Sequence, residues 1–457
     1  MTASSEPLAY TLLWLRHDLR LRDQPALTAA MSDALRHQRP LIAIYFFEPR
    51  LNKEDRFGYT RMRPYRAIFL LETLRELKAT LKSLNVELII SRDDPVVALA
   101  KLCCQLNVKQ VYASRHVADE EVRQEAEVAT SIKSLGCALT MTWSHTLYSP
   151  KHLPFTLGDL PDVYTQFRKQ VERSAEPKQA LPIPKALPSF LSWGQERKIS
   201  SNVECHLEAL WREWSASLEK GGGRDKRAVL LFKGGAQAGE ARVQEYLWDR
   251  RLIECYKDTR NGLIGADYST KFSAWLSVGA LSPRWLWWET LRYEDERVVN
   301  DSTYWVRFEL LWREYFQWVA LLYGPSLFKL GGLSADLGRP RSKRSDVNPR
   351  SFQRWVEGQT GDDFVDAHMK ELKHTGFMSN RGRQNVASYL IHDLNLDWRL
   401  GAGYFEAQLI DYDPASNWGN WAYIAGVGND PRPQRKFNTK SQAERYDPKG
   451  LYRELWS

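Results

Sequence analysis

Five short, almost uniformly apolar runs lie in the first third of the chain, and helical patterns separate them. They are TLLWLR near Thr11, LIAIYFF from Leu41, VELIIS from Val86, KQVYAS from Lys109 and ALTMTW from Ala138. Such runs between helices are typical of strands in a parallel sheet that helices cover on both faces. The sequence therefore predicts an α/β domain with a Rossmann-like, five-stranded parallel sheet. Because WLRHDLRLRD stands where GxGxxG would follow the first strand, the standard dinucleotide fingerprint is absent.

The pattern changes in the middle of the chain. From Tyr148 to Ser200 the periodicity fades and prolines recur, which predicts a long connection over the surface. After the GGG at 221–223, strand signals nearly vanish and helical spacing dominates. We therefore predict an α/β domain over residues 1–147, an inter-domain connection over 148–200 and an all-α domain over 201–457.

Composition restricts the class of protein. Lys and Arg outnumber Asp and Glu by 64 to 56, which gives a formal charge of +8 and fits a polyanionic partner. Five cysteines without a CxxC pair indicate reduced thiols in the cytoplasm, and no apolar stretch is long enough to cross a membrane. Most of the 18 tryptophans lie between Trp275 and Trp421, so they line either a large core or a site for planar rings.

Two segments place polar groups where they could bind a ligand. Three hydroxyls and a lysine lie in the YSTKFS segment that starts at Tyr268, just before a probable helix, and such a helix start holds either a pyrophosphate or an ordinary N-cap. In FELLWREYF, Glu309, Trp312 and Arg313 lie on adjacent helical positions. A Glu–Arg pair four residues apart beside a core tryptophan is the structural alternative there.

Two further segments are rich in charged and amide side chains. SNRGRQN places Asn380, Arg381, Arg383 and Gln384 together, which suits contacts to phosphates and base edges or a surface helix end. LIDYDPASN holds two carboxylates, at 411 and 413, but the residues around them complete no metal-ligand set, so we predict no metal.

Long segments together resemble the photolyase and cryptochrome family. They are WLRHDLRLRD, NGLIGADYSTKFSAWLSVGALSPR, FELLWREYF, TGFMSNRGRQNVASYLIHDLNLDWR and LIDYDPASNWGNWAYIAGVGNDPR. TRNGLIG, STYWV and NWGNWAYIAGVGNDPR are similar to the DASH branch of that family. The resemblance covers essentially the whole chain, and it implies that the helical half binds FAD.

The resemblance assigns a set of residues to the FAD. Asp411 is expected to pair with Arg383 beside the flavin ring, and Asn417 is expected at its N5 edge. The diphosphate is expected on the YSTKFS segment. The complete set is Tyr256, Ser269, Thr270, Lys271, Phe272, Ser273, Arg313, Arg383, Asp411, Tyr412, Asp413 and Asn417.

The resemblance also implies a DNA substrate with a pyrimidine dimer flipped out of the stack. Glu309 is expected to hydrogen-bond the dimer, Trp312 to stack on it, and Asn380 to contact it. Excited, reduced flavin then passes an electron to the cyclobutane dimer, the ring splits, and the electron returns. The DNA contacts implied are Arg260, Trp312, Arg381, Arg383, Gln384 and Gln442.

Two positions depart from the family pattern. Trp421 and Trp398 match the two inner members of the tryptophan chain that photoreduces the flavin, but Ser345 stands in place of the outer tryptophan. Either another aromatic residue, such as Tyr423 or a nearby Trp, completes the path, or photoreduction is slow. DASH proteins usually bind methenyltetrahydrofolate as an antenna against an acidic residue, and His116 stands at that position, so this cofactor is left open.

Three other functions are alternatives to dimer repair. Repair of (6-4) lesions is rejected because Asn380 and Gln384 replace the two histidines that it needs. A blue-light photoreceptor that binds nucleic acid without repair stays open, although the chain ends at LYRELWS without a long tail. A class I synthetase-like enzyme is rejected because its HIGH-type and KMSKS-type segments are missing. We expect a monomer that repairs dimers, preferably in single-stranded DNA, and RNA binding is left open.

Overall fold

The computed structural model of the protein describes residues 8–54, 58–191, 205–338, 348–429 and 435–457. Its N-terminal part is a sheet of five parallel strands in the order β3-β2-β1-β4-β5. The strands are β1 (Tyr10–Leu15), β2 (Leu41–Phe46), β3 (Glu87–Ser91), β4 (Val108–Ser114) and β5 (Ala138–Thr142). In the central register, Leu13 of β1 lies opposite Ala43 of β2 and Tyr112 of β4. Each strand starts within one residue of a predicted run, so the predicted sheet is confirmed.

Helices cover both faces of this sheet. The first six helices are α1 (Pro25–His37), α2 (Pro64–Ser83), α3 (Pro95–Gln105), α4 (Asp119–Lys133), α5 (Tyr164–Ser174) and α6 (Leu207–Lys220). The helices α1, α2 and α3 each begin with proline, whose fixed φ and missing N–H suit the first helical position. The side chains of Gln24 and Asp94 accept hydrogen bonds from the free amides of α1 and α3.

The C-terminal part is helical throughout its described length. Its helices are α7 (Ala236–Val243), α8 (Tyr256–Thr259), α9 (Ser273–Ser277), α10 (Pro283–Glu296), α11 (Asp301–Tyr323), α12 (Pro349–Val356), α13 (Asp363–Thr375), α14 (Asn380–Ser388), α15 (Trp398–Gln408), α16 (Pro414–Ile424), α17 (Thr439–Tyr446) and α18 (Leu451–Leu455). Wider π-helical turns follow α7 and α14 at Gln244–Asp249 and Tyr389–Asp393. The predicted all-α second half is confirmed. None of the described helices is long and apolar enough to span a bilayer.

The predicted surface connection contains a helix that packs inward. Helix α5 buries Tyr164, Phe167 and Val171 along one side and contacts α11. Residues spaced three and four apart form one face of a helix, so this short periodic stretch holds the connection against the helical half. The proline-rich composition hid that periodicity in the sequence.

The sheet and the helices share one apolar core. One cluster of buried side chains runs from Leu13 and Leu15 of β1 to Trp421 of α16, and a second cluster fills the opposite face of the sheet. The two parts approach each other closely at Gly279, where a Cβ atom would lie 2.0 Å from the carbonyl oxygen of His17. The φ of Gly279 is +71°, a conformation that other residues rarely adopt. The lack of space for a side chain and the backbone conformation therefore both require glycine here. The two halves therefore hold each other in a fixed arrangement.

Candidate functional site

A cavity opens in the helical half between α8, α9, α11 and α14. It encloses about 1180 Å³, part of which is open solvent. A neighbouring hollow of about 550 Å³ lies against α15 and α16, and the two share Asn380, Arg383, Asp411, Asp413 and Ser416. The cavity is also lined by Tyr256, Arg260, Ser269, Thr270, Lys271, Phe272, Ser273, Glu309 and Arg313. Most of the residues predicted for the cofactor therefore lie around one space.

The loop before α9 supplies the hydroxyl groups of this cavity. Helix α9 begins at Ser273, as the sequence predicted, but it has only five residues. Lys271 adopts a φ of +62°, and its Nζ lies 3.0 Å from the Oγ of Ser269 and 2.9 Å from the centre of the Tyr268 ring. Burial holds the pKa of Lys271 well below its usual value. The lysine is thus buried in the loop that presents the hydroxyls.

Arg242 holds this loop in place, and the sequence did not reveal it. Its guanidinium donates to the carbonyl oxygens of Ala266 at 2.8 Å and of Ser269 and Thr270 at 3.2 Å each. The side chain is 4% exposed and also pairs with Glu245. The sequence shows only that an arginine lies on the inner face of α7, and this does not indicate which groups the arginine contacts.

Arg383 and Asp411 form an ion pair on the cavity wall. The Nη2 of Arg383 lies 2.9 and 2.8 Å from the two carboxylate oxygens, and its Nε donates to the carbonyl oxygen of Met378 at 2.9 Å. Asp411 is buried, whereas Arg383 keeps a partly exposed edge. The structure therefore contains the pair that the resemblance implied.

Asp413 lies at the centre of a buried polar network. Its carboxylate accepts a hydrogen bond from Gln317 at 3.0 Å, and one of its oxygens lies 3.1 Å from Nε2 of His145. Arg313 donates to the carbonyl oxygen of His145 at 2.6 Å and lies 3.9 Å from Asp413. Burial favours the neutral carboxyl group, but the hydrogen bond from His145 and the charge of Arg313 hold the pKa of Asp413 well below its usual value.

His145 was missed, although a signal existed. It lies just after β5, and polar side chains at the carboxyl ends of parallel strands commonly reach a site. Burial and the charge of Arg313 lower the pKa of His145 to about 4, so it is neutral at pH 7. The alternative of a local Glu309–Arg313 pair is wrong, because Arg313 points to His145 and Glu309 has other partners.

The side chain of Glu309 lies at the cavity wall and accepts hydrogen bonds from two other side chains. Its Oε1 accepts from Nη1 of Arg260 at 2.8 Å and from Nε1 of Trp305 at 3.1 Å. Partial burial raises the pKa of Glu309, and the charge of Arg260 opposes the shift. The sequence did not single out Trp305, whose ring also lies 5.0 Å from Nζ of Lys257.

Trp312 follows Glu309 on the same face of α11 and is surrounded by aromatic rings. The ring of Tyr164 stacks on it with centroids 3.6 Å apart and an interplanar angle of 14°. Phe316 lies at 5.6 Å, and Tyr423 meets Trp312 edge-on at 6.1 Å and 77°. Tyr423 is therefore placed beside Trp312. It follows Trp421 by two residues, which puts it on the opposite side of α16.

The tryptophans assigned to electron transfer lie on α15 and α16. The ring of Trp421 packs against Gly401, where a Cβ atom would come within 2.2 Å of it, and Gly401 lies one turn after Trp398. Trp398 meets Trp418 edge-on at 5.7 Å. Ser345 lies outside the described residues. Trp418 is thus the nearby tryptophan that the described part of the chain places against Trp398.

Asn417 and Tyr412 flank the second hollow. The side-chain amide of Asn417 donates to the carbonyl oxygen of Ala402 at 3.0 Å. The ring of Tyr412 also lines a separate space between the sheet and the helices, and its hydroxyl lies 3.3 Å from Nε1 of Trp418. Asn417 therefore faces the predicted cofactor space, while Tyr412 serves as a wall between two spaces.

Some of the residues predicted to contact DNA line the cavity, and others lie next to it. Arg260 and Arg383 line the cavity, and Asn380 is exposed at its edge. Arg381 lies behind them and donates to Asn261 and to Gln384, each at 2.9 Å. Burial and the charges of Arg260 and Arg445 lower the pKa of Arg381. Gln442 lies half-buried on α17, the helix whose Tyr446 contacts Arg381.

His116 lies in a space of about 910 Å³ between the sheet and the helical half. Its ring is 4.8 Å from that of His17 and 5.5 Å from that of His145, and its backbone amide donates to Glu125 at 2.8 Å. Glu48, Glu121, Arg50 and Arg61 line the same space. Carboxylates are therefore available there although position 116 carries a histidine. Among the described residues, no group of acidic, His or Cys side chains is arranged to hold a metal.

Comparison with known proteins decides the family. The sequence model described as FAD binding domain of DNA photolyase matches residues 305–457, and the one described as DNA photolyase matches residues 11–187. A cryptochrome DASH of Natronomonas pharaonis is 43% identical over 445 residues, which cover 97% of this chain and 89% of that protein. The chain belongs to the photolyase and cryptochrome family, in its DASH branch. The predicted family and branch are confirmed.

Two further comparisons agree with this result. The chain is 42% identical to the chloroplastic/mitochondrial cryptochrome DASH of Arabidopsis thaliana, covering 98% of this chain and 75% of that protein. The crystal structure of a cryptochrome from Synechocystis superposes with a TM-score of 0.91 at 40% identity, covering 99% of this chain and 89% of that one. The curated relatives and the solved structure thus cover both halves of the fold.

The residues around the cavity suit an FAD molecule. Hydroxyls at 269, 270 and 273 and the adjacent basic groups match the donors that a diphosphate needs. The Arg383–Asp411 pair and the amide of Asn417 present both donors and acceptors to a polar ring. The aromatic and aliphatic walls, which include Phe272, Leu310 and Phe377, supply the apolar surface for its ring system.

Proposed function

We propose that this protein is a light-driven repair enzyme that splits cyclobutane pyrimidine dimers in DNA. The observation that carries the proposal is that Glu309 lines the same cavity as Asn380 and the Arg383–Asp411 pair, and that Trp312 follows Glu309 by one turn on α11. The cavity thus offers a carboxyl group to a flipped-out dimer, with an aromatic ring next to it on the same helix, and amide and charged groups to a cofactor. Both partners could then lie in contact within one space.

The chain's own residues would hold and orient both partners. Ser269, Thr270 and Ser273 would bind the FAD diphosphate, and Asn417 would contact the ring edge. When bound, FAD supplies light absorption and one-electron chemistry. The carboxyl group of Glu309, whose pKa is raised by burial, would form a hydrogen bond with the dimer.

We infer that DNA binds across the basic mouth of the cavity, with a preference for single strands. Arg260 and Arg381, together with the exposed amide of Asn380, would contact the backbone around the lesion. Less energy is needed to hold out an unpaired base than a paired one, which supports the single-strand preference. RNA would meet the same backbone contacts. If these contacts neutralise phosphates, affinity falls steeply with salt, and a flat response contradicts the assignment.

A folate antenna is a further proposal, and the space between the two halves supports it. That space combines apolar walls with Glu48, Glu121 and several arginines, which suit a ring with amide and carboxylate groups. We propose that one of these acids replaces the contact that His116 does not supply. Purified protein should then show the near-ultraviolet absorption of methenyltetrahydrofolate after incubation with it. Absence of this band would refute the antenna proposal and leave the other proposals unaffected.

We also infer a monomer in the cytoplasm, built from domains at 1–147 and 201–457 with the connection at 148–200. The Arabidopsis relative is named as chloroplastic/mitochondrial, so compartments differ within the branch. Light scattering coupled to gel filtration should give a mass near the 53.0 kDa of one chain. A dimeric mass would contradict the monomer.

The proposed function is tested with oligonucleotides that carry one cyclobutane dimer. Reduced, FAD-loaded protein should restore the dimer to two pyrimidines under blue light and not in the dark, and repair should be faster in single strands than in duplexes. Photoreduction of bound FAD is measured on the same samples. Photoreduction without repair of either substrate would refute repair and leave a photoreceptor that binds nucleic acid.

A further inference from the structure

The face of Trp312 is covered by a residue from the inter-domain connection. Tyr164, the first residue of α5, stacks on the Trp312 ring at 3.6 Å with an angle of 14° between the planes. The two residues are 148 positions apart in the sequence. Close, nearly parallel stacking of this kind is one of the favourable geometries of aromatic pairs.

Tyr164 is fixed by more than this stack. Its hydroxyl donates to the carbonyl oxygen of Phe308, one turn before Trp312, at 2.8 Å. Its ring meets Phe308 edge-on at 5.3 Å and Tyr315 edge-on at 5.9 Å. Only 5% of the residue is exposed. The ring is therefore held at both ends in the core and is not free to swing aside.

The other rings near Trp312 do not share this arrangement. Tyr315 and Tyr423 approach it edge-on, at 72° and 77°, and Phe316 on the same helix stacks on it less closely, at 5.6 Å and 29°. Among the described aromatic contacts of Trp312, the one with Tyr164 is the closest and the most nearly parallel. One face of Trp312 is thus covered by Tyr164, and a planar ligand cannot stack on that face.

We propose that Tyr164 is a positioning residue for Trp312, which backs the ring so that a pyrimidine dimer stacks on a single, fixed face. The inference rests on the proposed function and deepens it, because it makes the inter-domain connection part of the substrate site. Fixing the ring before binding removes the entropy cost of ordering it during binding. The phenol ring is needed for this role, whereas the hydroxyl only adds a second anchor.

The test measures dark binding of dimer-bearing and undamaged single-stranded oligonucleotides to FAD-loaded protein. Tyr164→Leu should weaken affinity for the dimer about 2- to 10-fold, the range expected for one aromatic pair. Affinity for undamaged strands and FAD content should not change. Tyr164→Phe keeps the stack and should bind the dimer like the wild type.

Phe167→Leu is the matched control. Phe167 lies one turn later on α5, is fully buried and packs on Tyr315 at 5.1 Å. It therefore tests whether a general loosening of α5 weakens dimer binding, and its dimer affinity should stay at the wild-type level. An equal loss in Phe167→Leu would overturn the proposal.

Other outcomes separate the inference from the proposed function. Unchanged dimer affinity in Tyr164→Leu refutes the positioning role, and tighter binding would show that Tyr164 blocks the ring instead. If the wild type does not distinguish dimer from undamaged strands, the proposed function fails and this inference fails with it. A fluorine NMR signal from 5-fluorotryptophan at position 312, identified with Trp312→Phe, should shift in Tyr164→Leu and stay in place in Tyr164→Phe.

Discussion

Arg383 bridges both carboxylate oxygens of Asp411, at 2.9 and 2.8 Å, where two spaces of the helical half meet. The side chain of Asp411 is only 2% exposed, so its charge depends on this partner. The same guanidinium is anchored to the carbonyl oxygen of Met378. A buried charge with one main partner is sensitive to the loss of that partner.

Arg383→Gln should destabilise the protein and lower its FAD content. Removing the arginine leaves the buried carboxylate of Asp411 unpaired. We expect this to lower the free energy of unfolding by about 3 kcal/mol. This value is at the lower end of the range for buried ion pairs because Arg383 is partly exposed. Urea unfolding and the FAD released on denaturation measure the two effects. Arg123→Gln, which breaks an exposed pair with Asp119, should change neither by a comparable amount. A stable Arg383→Gln protein with full FAD content would contradict this role.

Glu309→Ala should reduce dimer binding and repair without loss of FAD. A hydrogen bond that involves a charged or acidic group contributes about 1.5–3 kcal/mol, so dimer affinity should fall at least about 10-fold. Filter binding with dimer-bearing and undamaged strands measures this discrimination. Equal losses for both strands would show that Glu309 acts on the backbone and not on the lesion.

Trp398→Phe and Trp418→Phe should both slow the light-driven reduction of bound FAD. Trp398 meets Trp418 edge-on at 5.7 Å, and Nε1 of Trp418 lies 3.3 Å from a carboxylate oxygen of Glu406, which can accept its proton. Tyr423→Phe is the control, because Tyr423 lies beside Trp312. Absorption changes under blue light report the rates. A wild-type rate in Trp418→Phe combined with a slow rate in Tyr423→Phe would show that Tyr423, and not Trp418, is the outer donor.

His368 should make the protein less stable in acid. Burial lowers its pKa from 6.5 to about 3. Between these values the unfolded chain binds a proton that the folded one does not, so the free energy of unfolding falls as the pH drops from 6.5, by about 1.4 kcal/mol per pH unit. His368→Phe should remove that part of the slope in urea unfolding between pH 6.5 and 4. The same slope in His368→Phe and wild type would refute the assignment.

The sequence predicted what depends on local patterns. The strands were found because buried parallel strands are short apolar runs, and the Arg383–Asp411 pair was found because family resemblance fixed both positions. Arg242, His145 and Tyr164 were missed because each acts on a segment distant in sequence. No local pattern records such partners.

The contact of Tyr423 with Trp312 has a different basis, and the electron-transfer role of Tyr423 stays a prediction. Its position relative to Trp421 follows from helical geometry, since two residues on turn a side chain to the far side of α16. The helix was expected from the sequence, so the opposite placement could have been derived.

The amount of FAD bound per chain tests the account most directly, because every assigned role requires a flavin in the cavity between α8 and α14. Folded wild-type protein, incubated with excess FAD and freed of unbound cofactor, should retain one FAD per chain and absorb blue light. A folded protein that stays colourless and takes up no FAD would contradict the account.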